Sequence, residues 1–491
     1  MSQNAKQTAA DRQNRAPLAE ALLQHIREDV TPFHVPAHKH GKGTDELTRY
    51  FGQQVMSMDI NSMSDVDDLA NPNAVIDEAQ RLTAELFGAQ YAHFLINGTT
   101  SGIHAMMISR LRPGDRIILP RNAHKSAFSG LVASGAVPVY ARVEDNTDFG
   151  IATTVSVDSI SSCFERAPQT AALFIINPTY YGFASDLQRL IALAREWDAS
   201  VLVDEAHGGH MYFHDELPVT AMQSGADMSA VSMHKTCGSL TQSSLLLLNS
   251  KAISNEKVIN TLNMFRSTSA SYLLMASLDL ARKQLAMEGR ERIKAVVELA
   301  RYAREKINQI EGLHAFGQEL TSNSAIHSFD ETKLSIFVRK LGATGFEIER
   351  RLRQEYNIQV ELADLNVIMA MITIGDTQAD VDRLIAALEK IASRSRKQNF
   401  TRVSQMPDMP DLIVIPRDAF YSHQKSVALE DSVNEISGEM VMSYPPGIPV
   451  ICPGERITRD IIDYINILKE HNCHLQGTAD PFVNNIRVLG F

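Results

Sequence analysis

Apolar and polar positions along this chain follow two rhythms. Between about residues 76 and 250, short apolar runs alternate with stretches of helical spacing. Ala92–Ile96, Arg116–Leu119, Ala136–Tyr140, Ala171–Ile176 and Val201–Val203 each read as a buried strand. Ile76–Phe87 sets Ala79, Leu82 and Leu86 on one helical face. It ends at Gly88, the residue type that accepts the left-handed turn closing a helix. Strands alternating with helices over this length predict an α/β domain, a mostly parallel sheet covered by helices on both faces. Beyond about residue 325 the pattern changes. Leu334–Val338 and Val367–Ile374 read as strands, and Val381, Leu384, Ile385, Leu388 and Ile391 form a helix stripe that faces a core. Ser393–Gln405 is basic and polar and reads as a linker. At the other end residues 1–15 are polar, Leu18–Ile26 has helical spacing, and Thr31–Gly43, rich in Pro, His and Gly, predicts irregular backbone. The expected parts are therefore an arm over 1–75, a large domain over 76–325, a small α/β domain over 326–400 and a final α+β module over 405–491.

Composition narrows the classes of function. A chain of 491 residues is long enough for two or three domains. Hydrophobic residues make up 44% and charged residues 21%, as in ordinary globular proteins. The net charge of −11 argues against nucleic acid as a partner. Cys163, Cys237, Cys452 and Cys473 show no paired spacing, which suits a reducing, cytoplasmic compartment. The first residues lack the apolar core of a secretory signal, and no run approaches the roughly 18 apolar residues of a membrane span.

The candidate chemistry gathers between Val201 and Ser244. The strand Val201–Val203 runs into Asp204, and a second apolar segment runs into Ser232, Met233, His234 and Lys235. A lone Asp after a strand is usually a helix cap, and a lone Lys is usually solvated. The pair, each at the end of a probable strand, is less ordinary, because sites in α/β proteins collect at the carboxyl edge of the sheet. An amine that condenses with an aldehyde, and a carboxylate that keeps a pyridine nitrogen protonated, are the two protein groups that pyridoxal 5′-phosphate needs most. Upstream, the turn Asn97–Gly102 between a strand and the expected helix Ile103–Arg110 offers backbone N–H groups and the hydroxyls of Thr99, Thr100 and Ser101 to an anion. His207, His210 and His214 invite a metal reading, but neither HExxH nor CxxC is present, and no metal is expected.

The segments VDEAHGGHMYFHDELP and SMHKTCGSLTQSS resemble the ornithine/lysine/arginine decarboxylase family, and most of all its short bacterial branch, which contains biosynthetic arginine decarboxylases. The likeness runs from FHVPAHKHGKG at Phe33–Gly43 through RNAHKS and NPTYYG to YPPGIPVICPGE at Tyr444–Glu455. The longer members carry a receiver-like domain, for which there is no room ahead of Phe33. The resemblance implies a fold-type-I, aspartate aminotransferase-like large domain that binds pyridoxal 5′-phosphate. It implies that Lys235 carries the cofactor, that Asp204 faces its ring nitrogen, and that His124 stacks on the ring. His207 packs near that ring, where the longer enzymes have tryptophan. The resemblance also implies that Thr99, Thr100 and Ser101 lie at the phosphate, that Ser232 binds the cofactor, and that Thr268 and Ser269 reach the phosphate from the neighbouring subunit. Lys235 or His234 returns a proton to Cα. The implied activity is decarboxylation of a basic amino acid in the cytoplasm by a homodimer with shared sites, L-arginine to agmatine for polyamine synthesis being the first expectation. Lysine or ornithine is the alternative substrate, and a fold-type-I aminotransferase the alternative enzyme. Glu455, Asp67, Asp68 and Asp364 are the candidate acids for the distal end of the substrate.

Overall fold

In the computed structural model the described residues are 10–322, 325–395, 407–443, 447–471 and 473–490. Most of the linker Ser393–Gln405 and the start of Tyr444–Glu455 fall outside them. The chain divides into two compact units, one of Met1–Ser109, Leu202–Asp215 and Val219–Ile293, the other of Arg110–Val201, Glu216–Pro218 and Lys294–Phe491.

In the first unit the strands lie in the order Tyr91–Leu95, Ser244–Leu248, Met228–Val231 and Ser200–Asp204. Ser244–Leu248 runs against both neighbours, whereas Leu202–Asp204 pairs in parallel with Met228–Ala230. Parallel pairing brings the carboxyl ends of those two strands to one edge, and this is what carries Asp204 and the segment after Val231 to the same side. The helix Val75–Phe87 closes on Gly88 at φ 67°, as its sequence predicts. The expected turn at Asn97–Gly102 is shorter than predicted. The helix runs Gly98–Arg110, so Thr99, Thr100 and Ser101 occupy its first turn. The Ser101 hydroxyl donates to the Gly98 carbonyl at 2.8 Å, so it folds back on its own turn and the helix continues through these small polar residues.

The arm is a built part of this unit. Its helix, Pro17–Arg27, buries Leu18, Ala19 and Leu22. Asp279 accepts the Leu18 and Ala19 N–H groups at the helix start, and Arg282 donates to the carbonyls of Gln13 and Arg15. Asp279 and Arg282 also pair at 2.5 Å, both fully buried. They lie on the 37-residue helix Tyr272–Asn308. As expected, Thr31–Gly43 forms neither helix nor strand.

In the second unit Arg116–Pro120 pairs in parallel with both Val137–Ala141 and Thr170–Ile176. A four-stranded antiparallel sheet follows, in the order His314–Ala315, Lys333–Phe337, Val367–Met371 and Leu362–Ala363. The helix Gln378–Arg394 buries the predicted stripe, Val381, Leu384, Ile385, Leu388 and Ile391. Near the carboxyl end Gln424–Ala428 pairs with Asn485–Leu489, and the helix Arg459–Glu470 adds Ile461, Ile462, Ile465 and Leu468 to a core of its own. No helix among the described residues is long and apolar enough to cross a membrane.

Candidate active site

Ser232 is the N-cap of a short helix, Met233–Thr236, that presents His234 and Lys235 just beyond the strand Met228–Val231. The Lys235 Nζ lies 2.9 Å from Nε2 of His207, which is buried. Asp204 is 4% exposed, and its Oδ1 accepts the Ala206 N–H at 3.1 Å. Burial pushes its carboxyl above the ordinary carboxylate range, while the Ala206 N–H and the charge of Lys235 pull the other way. A carboxylate so placed gains by facing a hydrogen-bonded cation. The His234 Nδ1 donates to the Ser243 carbonyl at 3.0 Å, so the neutral ring keeps its lone pair on Nε2. Burial lowers the pKa of this histidine, which favours that neutral form.

The first turn of Gly98–Arg110 joins this group. Thr99 is buried, with its hydroxyl 2.5 Å from that of Ser232 and 3.0 Å from that of Ser244. Thr100 is exposed and Ser101 half-buried. Small hydroxyls beside a helix start supply donors to an anion without adding bulk or charge. One unit therefore holds Asp204, His207, Ser232, His234 and Lys235 together with Thr99, Thr100 and Ser101. Thr268 and Ser269 lie in the same unit, exposed in the loop before Tyr272–Asn308. His124 belongs to the second unit. It caps the helix Lys125–Ser134, its Nδ1 accepting the Ser126 N–H at 3.2 Å.

The four candidate distal acids differ in what their oxygens already do. Asp67 is buried, and its carboxylate accepts N–H groups of Asn73, Ala74 and Ile76 at the start of Val75–Phe87. It works as a cap. Asp364 accepts the N–H groups of Asn366 and Val367 and the hydroxyl of Tyr181, which closes a turn. Glu455 is fully buried and pairs with Arg121 at 2.8 Å, also accepting the Cys452 N–H. Asp68 is exposed, with a local bond from the Ala70 N–H.

Sequence reading missed Glu205. It is fully buried, and its carboxylate accepts the Ala221 N–H, the Ser229 hydroxyl and the Tyr212 hydroxyl, each at 2.7 Å. It fixes the chain just after Asp204 against the strand that leads to Lys235. The doublet Asp204-Glu205 was the available signal, since strand alternation turns neighbouring side chains to opposite faces.

Comparison with known proteins gives the family and the fold. The family described as Orn/Lys/Arg decarboxylase, major domain, matches residues 16–380, and its C-terminal domain matches 399–481. The chain is 43% identical to arginine decarboxylase of Bacillus subtilis over 97% of its own length and 98% of that protein. Among solved structures it is similar to the constitutive lysine decarboxylase of Escherichia coli, with TM-score 0.83 and 19% identity over 97% of this chain and 82% of that one. A Nostoc alanine–glyoxylate aminotransferase matches 66% of this chain and 88% of its own, with TM-score 0.54 and 20% identity. These likenesses give the fold, that of the fold-type-I enzymes. By sequence, the chain belongs to the Orn/Lys/Arg decarboxylase family.

Proposed function

We propose that the protein decarboxylates L-arginine to agmatine and CO₂ with bound pyridoxal 5′-phosphate. What carries the choice of arginine is the 43% identity to an arginine decarboxylase over nearly the whole chain, against 22% to a constitutive lysine decarboxylase. The donor set in the first unit suits the cofactor. It offers an amine, a buried carboxylate with one bond from its own chain, and hydroxyls around a helix start.

When bound, the cofactor supplies an aldehyde carbon that captures an α-amine and a ring that takes up the electron pair of a breaking bond. The rest falls to this chain. Lys235 Nζ would hold the aldehyde carbon of the cofactor, with His207 Nε2, 2.9 Å away, orienting the amine group. Asp204 accepts the ring N–H and keeps the proton there. The first turn of Gly98–Arg110, with Thr99, Thr100, Ser101 and Ser232, receives the phosphate. The bond between Cα and the carboxylate breaks, CO₂ leaves, and Cα gains one proton from Lys235 or from His234. On resemblance alone, His124 covers the ring.

A guanidinium rewards a planar, bidentate carboxylate. Asp68, exposed and least used within its own chain, is the acid we assign to it ahead of Glu455, Asp67 and Asp364. We further infer a homodimer. Phe33, Val35, Tyr50 and Phe51 in the arm and Met264 and Phe265 beside Thr268 are between 51% and 93% exposed, more apolar surface than a lone subunit usually leaves. Agmatine formed in the cytoplasm for polyamine synthesis completes the proposal, on resemblance.

The test is to offer arginine, lysine and ornithine to one preparation and to identify the products. Agmatine should dominate. A kcat/KM for lysine or ornithine about tenfold above that for arginine, roughly 1.4 kcal/mol, would refute the substrate. Formation of keto acids alone would refute decarboxylation.

A further inference from the structure

Three histidines outside the site just described face one another in the arm. His25 ends the helix Pro17–Arg27, and His34 and His40 come from the irregular segment that follows. One ring nitrogen from each lies within 4.8 Å of those of the other two. Their ring centroids are 5.9–6.4 Å apart, too far for stacking and right for rings that point at a common centre. The Nε2 atoms of all three are buried and have no hydrogen-bond partner among the described residues. His25 itself is 4% exposed.

The opposite edges of two rings fix which nitrogen carries the proton. His25 Nδ1 is 2.7 Å from Asp65 Oδ2, and His34 Nδ1 is 2.7 Å from the Val35 carbonyl. Both partners only accept, so Nδ1 is the donor in each ring and Nε2 bears the lone pair. The buried lone pairs of His25 and His34 converge on the His40 ring and meet no donor among the described residues, an arrangement that costs free energy. A cation at their centre removes that cost.

We propose that His25, His34 and His40 bind a divalent transition-metal ion through Nε2, with zinc the best fit. Imidazole suits zinc, and a carboxylate or carbonyl on the far nitrogen of a ligating histidine is the usual support for it. A tetrahedral zinc holds nitrogens about 2.0–2.1 Å away, hence about 3.3 Å from one another, and small rotations of the rings close the gap from 4.8 Å. His34 and His40 are only partly buried, so water can reach the fourth position once the rings turn toward the ion. Asp59, which accepts from His38, and Asp65 offset the nearby charges of Lys39 and Lys42. The ion would tie the end of the arm helix to Thr31–Gly43 and, through Asp65, to the turn at 64–66. Three different stretches of chain contribute, which is why neither HExxH nor CxxC spacing marks the site.

The test uses tag-free holoenzyme, stripped with chelator and titrated with zinc or cobalt(II). The wild type should take up one ion per chain, show the visible bands of tetrahedral cobalt, and melt higher with zinc. Two ligand variants probe the site. His40 sits at φ 56°, a conformation that asparagine also adopts readily, so His40→Asn removes the ligand and keeps the backbone. His40→Asn and His25→Gln should each weaken binding at least tenfold and abolish the zinc-dependent rise in melting temperature. Asp65→Asn should weaken binding by about 10–100-fold. Absence of one-to-one binding in the wild type would overturn the proposal. So would a His40→Asn variant, folded by circular dichroism, that binds zinc and cobalt as the wild type does.

Discussion

Asp204 and His93 are both buried titratable groups, held by different means. Asp204 keeps an elevated pKa because water is excluded, and a partner with its own N–H relieves that cost. Asp204→Asn should therefore lower turnover by about 10²–10³-fold, the usual scale for losing one fixed electrostatic partner, while the phosphate contacts still retain cofactor. Steady-state kinetics with a cofactor count per chain checks both halves. Near-normal turnover would remove Asp204 from its role. His93 lies within the strand Tyr91–Leu95, with Nε2 2.8 Å from the Asn255 Oδ1. Burial, reinforced by the charge of Arg266, lowers its pKa from 6.5 to about 4. Between those values the unfolded chain binds the proton first, so stability falls as pH falls. The change from pH 7 to pH 5 should be about 2 kcal/mol from this residue. Urea midpoints at the two pH values should show it, and His93→Gln should flatten the slope.

Among the elements, the arm helix Pro17–Arg27 depends on an ion pair that its own sequence does not contain. Asp279 serves both the helix start and Arg282. Removing it leaves a guanidinium buried without its counter-charge, so Asp279→Ala should cost about 3–5 kcal/mol. Denaturant titration measures the loss, and faster proteolysis near residue 17 would report release of the helix. The rhythm of apolar positions made most elements legible. Buried strands, the Val381–Ile391 stripe and the Gly88 stop follow from periodicity and one residue's backbone freedom. The rhythm failed where contacts far along the chain decide. It misjudged the start of Gly98–Arg110, where hydroxyls that read as a turn are absorbed into the helix. It missed the burial of Arg282, whose partners include carbonyls more than 250 residues away. In the candidate site Asp204 and Lys235 were legible because each follows a strand. The commitment of Asp67 and Asp364 to backbone N–H groups was not, because a capping carboxylate and a ligand-binding one look alike in sequence.

At the scale of the whole molecule, shared sites make a prediction that no single chain can meet. If Thr268 and Ser269 serve the partner's phosphate, a Lys235→Ala subunit and a Thr268→Ala/Ser269→Ala subunit, each inactive alone, should recover up to about a quarter of wild-type activity when mixed after subunit exchange, since half the dimers are mixed and each mixed dimer has one intact site. No recovery in demonstrably mixed dimers would argue for self-contained sites. The pair of Arg121 and Glu455 raises a matter of timing. The two residues are 334 positions apart. At roughly 5–20 residues per second, the ribosome makes the carboxylate about 17–67 s after the guanidinium it will neutralise. Until then the loop after Arg116–Pro120 carries a cation whose buried place cannot be filled. The nascent chain must wait for Glu455 before this part of the second unit can close. Messages cut short just before codon 455 should yield chains that quality-control proteases recognise, even though all of residues 76–325 has been translated.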